Sequence, residues 1–317
     1  MTFRNATVYM GLKGLGYIDL PAHTKPGGFD HAVVRRATSR LYVAHTANDT
    51  LDVIDCAKDR YLHSIPNLTG VAGALVSDEH DLVFTSNRGE NTVGIFSPAH
   101  EANMVKVAVG VRPNGLAYDP KRDLLLAANV GDPAIPNSFT ISFVEVKDAT
   151  RIADLVVPGR TRWAVYDLQK DLFYVNIADP AQIVVIDAKD PTRIALSFEI
   201  PEVGPHGLDL DTERQRLFCA CDGGKLLCLD TRSGKVLEKL NISGVPDVIF
   251  FNATLQHLYV AIGDPGVIEV FNTSTMQRLE TVSTEKGAHT IALDAARNKI
   301  YAFLPETHRA AVYADRS

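Results

Sequence analysis

No stretch of this chain is apolar for long enough to cross a bilayer, and no cluster of lysine and arginine offers a footprint for nucleic acid. Acidic residues outnumber basic ones, 38 to 32, for a formal charge of −6, so neither nucleic acid nor a membrane is an expected partner. Cysteine is scarce: four in 317 residues do not make a disulfide scaffold. Cys219 and Cys221 share one face of a strand, and a two-residue turn at Gly223-Gly224 would set Cys228 opposite Cys219. Buried, reduced thiols are the expectation there rather than a metal or redox trio. A glycine-rich phosphate loop, Gly-x-Ser-x-Gly, His-Glu-x-x-His and Cys-x-x-Cys are all missing, which removes a nucleotide cofactor from the reading. The opening residues lack the continuous apolar core of a secretory signal, so a soluble, cytoplasmic protein is expected. Helical periodicity is nearly absent.

What the chain has instead is repetition. Val203-Gly-Pro-His206-Gly-Leu-Asp-Leu-Asp211 echoes Gly110-Val-Arg-Pro-Asn114-Gly-Leu-Ala-Tyr-Asp119, Gly244-Val-Pro-Asp247 and Gly287-Ala-His289-Thr-Ile-Ala-Leu-Asp294. Each copy leads through a polar turn into a strand of aromatic and β-branched residues, such as Leu41-Tyr-Val-Ala44, Leu172-Phe-Tyr-Val175 and Leu258-Tyr-Val-Ala261. Seven aligned positions, Asp30, Ala72, Asn114, Arg162, His206, Asp247 and His289, stand 41 to 48 residues apart. Four short strands per unit at that period predict an all-β, seven-bladed β-propeller of four-stranded antiparallel blades, one domain over 1–317. The seventh unit has only three strands, ending at Arg309-Ala-Ala-Val-Tyr313. The N-terminal strand, about 16–20, is expected to join it and close the ring, with residues 4–12 lengthening that strand or adding another.

The phrases Arg40-Leu-Tyr-Val-Ala44, Asn48-Asp-Thr-Leu-Asp-Val-Ile-Asp55 and Arg112-Pro-Asn-Gly-Leu-Ala-Tyr-Asp-Pro120 resemble the YVTN-type β-propeller repeat family, over about residues 27–314. Blade five departs from it, with Phe-Cys-Ala-Cys where the family favours Tyr-Val-Ala-Asn. The resemblance implies the fold. Its relatives include lactonase-like and virginiamycin B lyase-like propellers, surface-layer proteins and many without known activity. The words around Asn114 and Asp247 are similar to metal-ligand phrases of gluconolactonase and regucalcin propellers, but three blades separate them here, so that calcium constellation does not carry over.

Innermost strands of a propeller begin, and second strands end, on one face, so the seven aligned residues should ring one mouth of the axial channel. His206, Asp247, His289 and Asp30 are then neighbours: two imidazoles and two carboxylates, a donor set for a divalent metal, with zinc, iron or manganese ahead of calcium or magnesium. Without a metal, a histidine becomes a general base whose pKa the carboxylates raise. Arg162 or Asn114 would hold an oxyanion. Trp163, the single tryptophan, either walls the site or packs between blades. His31, Glu90, Asn129, Asp132 and Asn176 are expected in a second tier around a small-molecule ligand, with 130–138 as a partial lid. His45 and His308 read as solvated loop histidines, and His23 carries no signal. Three functions fit: hydrolysis of a lactone or ester by metal-bound water, a lyase removing a proton α to a carbonyl, or a non-catalytic ligand- or protein-binding propeller.

Overall fold

The computed structural model describes residues 9–316. Among them, 28 strands form seven four-stranded antiparallel sheets, and the only helical pieces are two 3-10 turns, Thr46–Asn48 and Glu101–Asn103. The chain is a seven-bladed β-propeller. No helix among the described residues is long and apolar enough to cross a membrane.

One hairpin repeats around the ring. The residue just before each second strand adopts the left-handed conformation in all seven blades: Ser39, Asp81, Asp123, Asp171, Gln215, Gln256 and Asn298. Asp and Asn tolerate that backbone because their short polar side chains bond locally. The same turn at the same place sets the same pairing register.

Burial follows radial position. Second strands are covered on both faces by flanking blades: Leu124–Asn129 is buried throughout. Outer strands such as Thr150–Val156 alternate mostly exposed residues. The core is seven clusters, one in each seam between adjacent blades. No blade therefore buries its own faces alone, and the ring is stable only as a ring. The seam of blades seven and one packs Tyr301 and Phe303 against Leu41 and Val43.

Closure occurs as expected and the strand is longer than expected: Leu12–Asp19 pairs antiparallel with Arg309–Asp315, with a bulge between Gly14 and Gly16. Ahead of it, Tyr9 Oη and the Leu12 amide both donate to Glu280 Oε2 of blade six, at 2.7 and 2.8 Å. Residues 4–8 lie outside the described residues.

Two sequence expectations are corrected. The turn after Cys221 holds three residues, Asp222 to Gly224, with Gly224 left-handed, so Cys228 pairs with Phe218 and not with Cys219. Cys219 and Cys221 face blade four and Cys228 faces blade six; all four cysteines are buried and free. His45 is fully buried, its Nδ1 2.7 Å from Asp52 Oδ2. His23 lies edge-on to His45 and to His308, ring centres 4.9 and 4.3 Å away, beside Phe29. One ring nitrogen of each is buried without a hydrogen-bond partner among the described residues: Nε2 of His23 and His45, Nδ1 of His308.

Candidate functional site at the axial mouth

In five blades the aligned residue is the second of its innermost strand: Ala72 in Val71–Ser77, Asn114 in Pro113–Asp119, Arg162 in Thr161–Asp167, His206 in Pro205–Asp211 and Asp247 in Pro246–Asn252. Asp30 and His289 fall just before Ala32–Arg35 and Thr290–Asp294. In those five blades the pairing register slips at this point. Such bulges re-aim side chains out of the ladder. The blades meet tightly beside them: a Cβ on Gly73, Gly115 or Gly207 would come within 2.4 Å of the carbonyl of Asn114, Arg162 or Asp247 in the next blade.

The imidazole of His206 is held between carboxylates. Nδ1 lies 2.7 Å from Asp222 Oδ1, and Nε2 lies 3.3 Å from Asp247 Oδ1 and 3.2 Å from Arg162 Nη1. Arg162 Nη2 donates to Asp222 Oδ2 at 3.3 Å. His289 Nδ1 stands 2.8 Å from Asp247 Oδ2, an ion-pair distance but off the line of a hydrogen bond. Burial disfavours charge on His206, yet Asp247 and Asp222 outweigh it and the neighbouring guanidinium, pushing its pKa up to about 9. Nε2 then carries a proton and serves Asp247, not Arg162. His289 is raised for the same reason, its burial outweighed by Asp247, and Asp247 is held well below the usual carboxylate range by the two imidazoles despite its own burial.

His31 behaves oppositely. Burial pushes its pKa down, only partly countered by Asp30 and Asp247. Its ring stacks on Trp163 from blade four, centres 4.0 Å apart, and Trp163 meets Phe250 edge-on at 6.4 Å. Trp163 thus belongs to the axis. Below this layer a cavity of about 540 Å³ opens toward the opposite face.

Four arginines complete the mouth, three of them unforeseen. Arg88 donates to Asp30 Oδ2 at 3.1 Å. Arg160 is pushed below the usual guanidinium range by burial and then by Arg162, Arg112 and Arg88. Arg88 and Asp222 directly follow the second strands Leu82–Asn87 and Arg216–Cys221, while Arg112 and Arg160 lie two residues ahead of the ring position. Those two offsets were the available signal. Of the residues expected in the second tier, His31 is on the axis, and the other four do other work. Asn129 bonds Thr140 and Ser142 inside blade three, Glu90 pairs with Lys106, and Asp132 caps its own loop at Ala134. Asn176 donates to the carbonyl of His206 at 2.8 Å and so positions its backbone. Asn114 is buried, with Oδ1 lacking a hydrogen-bond partner among the described residues.

As a metal centre the set is self-engaged: His206 turns both nitrogens to carboxylates, and Asp30 pairs with Arg88. Among the described residues no group of three or more His, Cys, Asp or Glu side chains is arranged to hold a metal ion.

No protein-family model and no curated protein matches this chain, so the likeness to YVTN-type propellers is carried by its repeat phrases alone. Solved structures do match. The chain is similar to one in the mitotic checkpoint complex (TM-score 0.83, 9% identity, covering 100% of this chain and 96% of that one) and to one in Kuenenia stuttgartiensis hydrazine synthase (TM-score 0.80, 12% identity, 92% and 96%). At these identities the likeness shows the fold alone.

Proposed function

We propose that the axial mouth is an acid–base site for a small carbonyl compound that also carries an anionic group. The observation that carries this is a pair of histidines driven in opposite directions, His31 toward the neutral form and His206 toward the charged one, among four guanidiniums in an otherwise acidic protein. Opposed titration of neighbouring groups is the arrangement acid–base chemistry needs. His31 would remove a proton α to the carbonyl. Arg162 would donate to the resulting enolate oxygen, the His206 imidazolium, its N–H groups held by Asp222 and Asp247, would contribute through its charge, and Arg88, Arg112 and Arg160 would attract the anionic group. Hydrolysis of a lactone or ester would use the same groups, with His31 activating water.

A binding site without chemistry has its own support, because both nitrogens of His206 are already engaged. Deuterium incorporation separates the readings. A panel of 2-oxo and 3-oxo acids and carboxylate-bearing lactones is incubated in heavy water and followed by NMR. Exchange or ring opening that His31→Ala abolishes and Arg162→Ala weakens through KM supports the enzyme. Saturable anion binding with neither reaction supports the binding module. Stoichiometric zinc, iron or manganese whose removal stops turnover would overturn the acid–base assignment in favour of a metal electrophile.

A further inference from the structure

We infer that the axial cavity on the face opposite the mouth is a second ligand site, one that takes an amphipathic cation: a protonated amine on an aromatic or aliphatic framework. The cavity, about 540 Å³, has the size of a small-molecule site. Its ceiling is the His31–Trp163 layer, and its walls include Leu116, Val165 and Phe250. The innermost strands of six blades contribute to it, because every second residue of a strand facing the axis points into the channel.

The charged groups along this lining are all carboxylates: Asp209 on the wall, and Asp78 and Glu79 at the opening. Among the described residues no lysine or arginine lines it; Arg36 stands only beside the adjoining rim, with Glu213. Asp78 is occupied by Arg35 at 3.7 Å and by the amides of Arg36 and Ala37. Asp209 is different. It accepts the Phe251 and Leu210 amides at 2.7 and 2.8 Å and has no cationic partner among the described residues. Burial pushes its pKa up to about 6, so at neutral pH it is a carboxylate in apolar surroundings without a counter-ion. A ligand ammonium would supply the missing charge, and the faces of Trp163 and Phe250 favour a cation further.

The test needs no labelled protein, because Trp163 is the only tryptophan and forms the cavity ceiling. Its emission is followed while the full chain is titrated with 3-phenylpropylammonium, 4-phenylbutyrate and 4-phenylbutan-1-ol. The ammonium is expected to bind at least tenfold more tightly than either matched probe. Asp209→Asn, which keeps an acceptor for the Phe251 amide, should remove that preference and leave alcohol binding unchanged. Val33→Phe, filling the cavity, should weaken all three probes. Arg162→Ala at the other end should leave the ammonium unaffected and removes any carboxylate binding at the mouth. Equal binding of alcohol and ammonium, a preference that survives Asp209→Asn, or no saturable change in emission would each overturn the proposal. The ranking of the three probes on the unaltered protein decides without any variant.

Discussion

His206 at the mouth is largely covered and His23 at the seam of blades seven and one only partly so, both lie among other histidines, and burial opposes charge on both. What faces them differs. His206 looks onto Asp222 and Asp247, and its pKa rises to about 9. His23 is lowered to about 4, by burial first and then by His45 and His308. Two carboxylates lie near that trio, and both are turned elsewhere: Asp52 to His45, and Glu285 to the Glu306 and Thr307 amides and the Thr307 hydroxyl. Neither burial nor neighbouring charge alone sets the charge of a histidine in this propeller; the balance does, falling to the carboxylates at His206 and to burial at His23 and at His31, which has Asp30 beside it.

The most damaging way to break this contrast is Asp247→Ala, which leaves two imidazoles beside Arg162 without their shared counter-charge. It should cost about 3–5 kcal/mol, read from the denaturation midpoint, and drop the His206 pKa below neutrality by NMR. An unchanged His206 titration would show that Asp247 is not the cause. At the seam, Phe29→Ala removes the ring that stacks on His45 and Phe303, with centres 4.4 and 5.4 Å away. About 3 kcal/mol should be lost, and His23 should titrate closer to 6.5 as water enters.

Stability against pH sharpens the comparison without breaking it. The folded pKa of His206 lies above the ordinary 6.5, so its contribution, on the order of 3 kcal/mol, is complete below pH 6.5 and disappears as pH rises through about 9. His23 lies below 6.5, so the unfolded chain binds the extra proton and stability declines from pH 6.5 down to about 4. His206→Gln should flatten the alkaline limb only, and His23→Phe the acid limb only; paired melting curves across that range check both. The smallest effect is expected from Asp222→Asn. With Asp247 in place, His206 should stay raised but fall by about one unit, visible as an NMR titration shift.

The architecture was legible because a period near 42 residues and a strand, polar turn and strand repeated seven times are local facts of the chain. The ring at the mouth was legible for the same reason: once Asp30, His206, Asp247 and His289 share a phase, the winding brings them together. The partners of that ring were harder to see. Arg88 and Asp222 are single residues after strands ending in Asn87 and Cys221, and a strand end misplaced by two residues selects Glu90 instead of Arg88. Asn129 and Asn176 have the right position and the wrong direction: Asn129 bonds Thr140 and Ser142 of its own blade, and Asn176 the backbone carbonyl of His206 in the next. The cluster of His23, His45 and His308 had no sequence signal, because its members come from a linker, a second strand and a terminal hairpin that meet only when the ring closes.

That closure places Leu12 and Asp315 opposite one another in a single ladder. A circular permutation follows from it: a short Gly/Ser linker bridging the two strands, with new ends cut at the exposed hairpin tip around Glu213, should return the same ring. The join would replace an intermolecular-like search for the last strand with a tethered one. A synthetic peptide copying Leu12–Asp19 should then compete for the last blade in the unlinked chain and fail to do so in the permuted one.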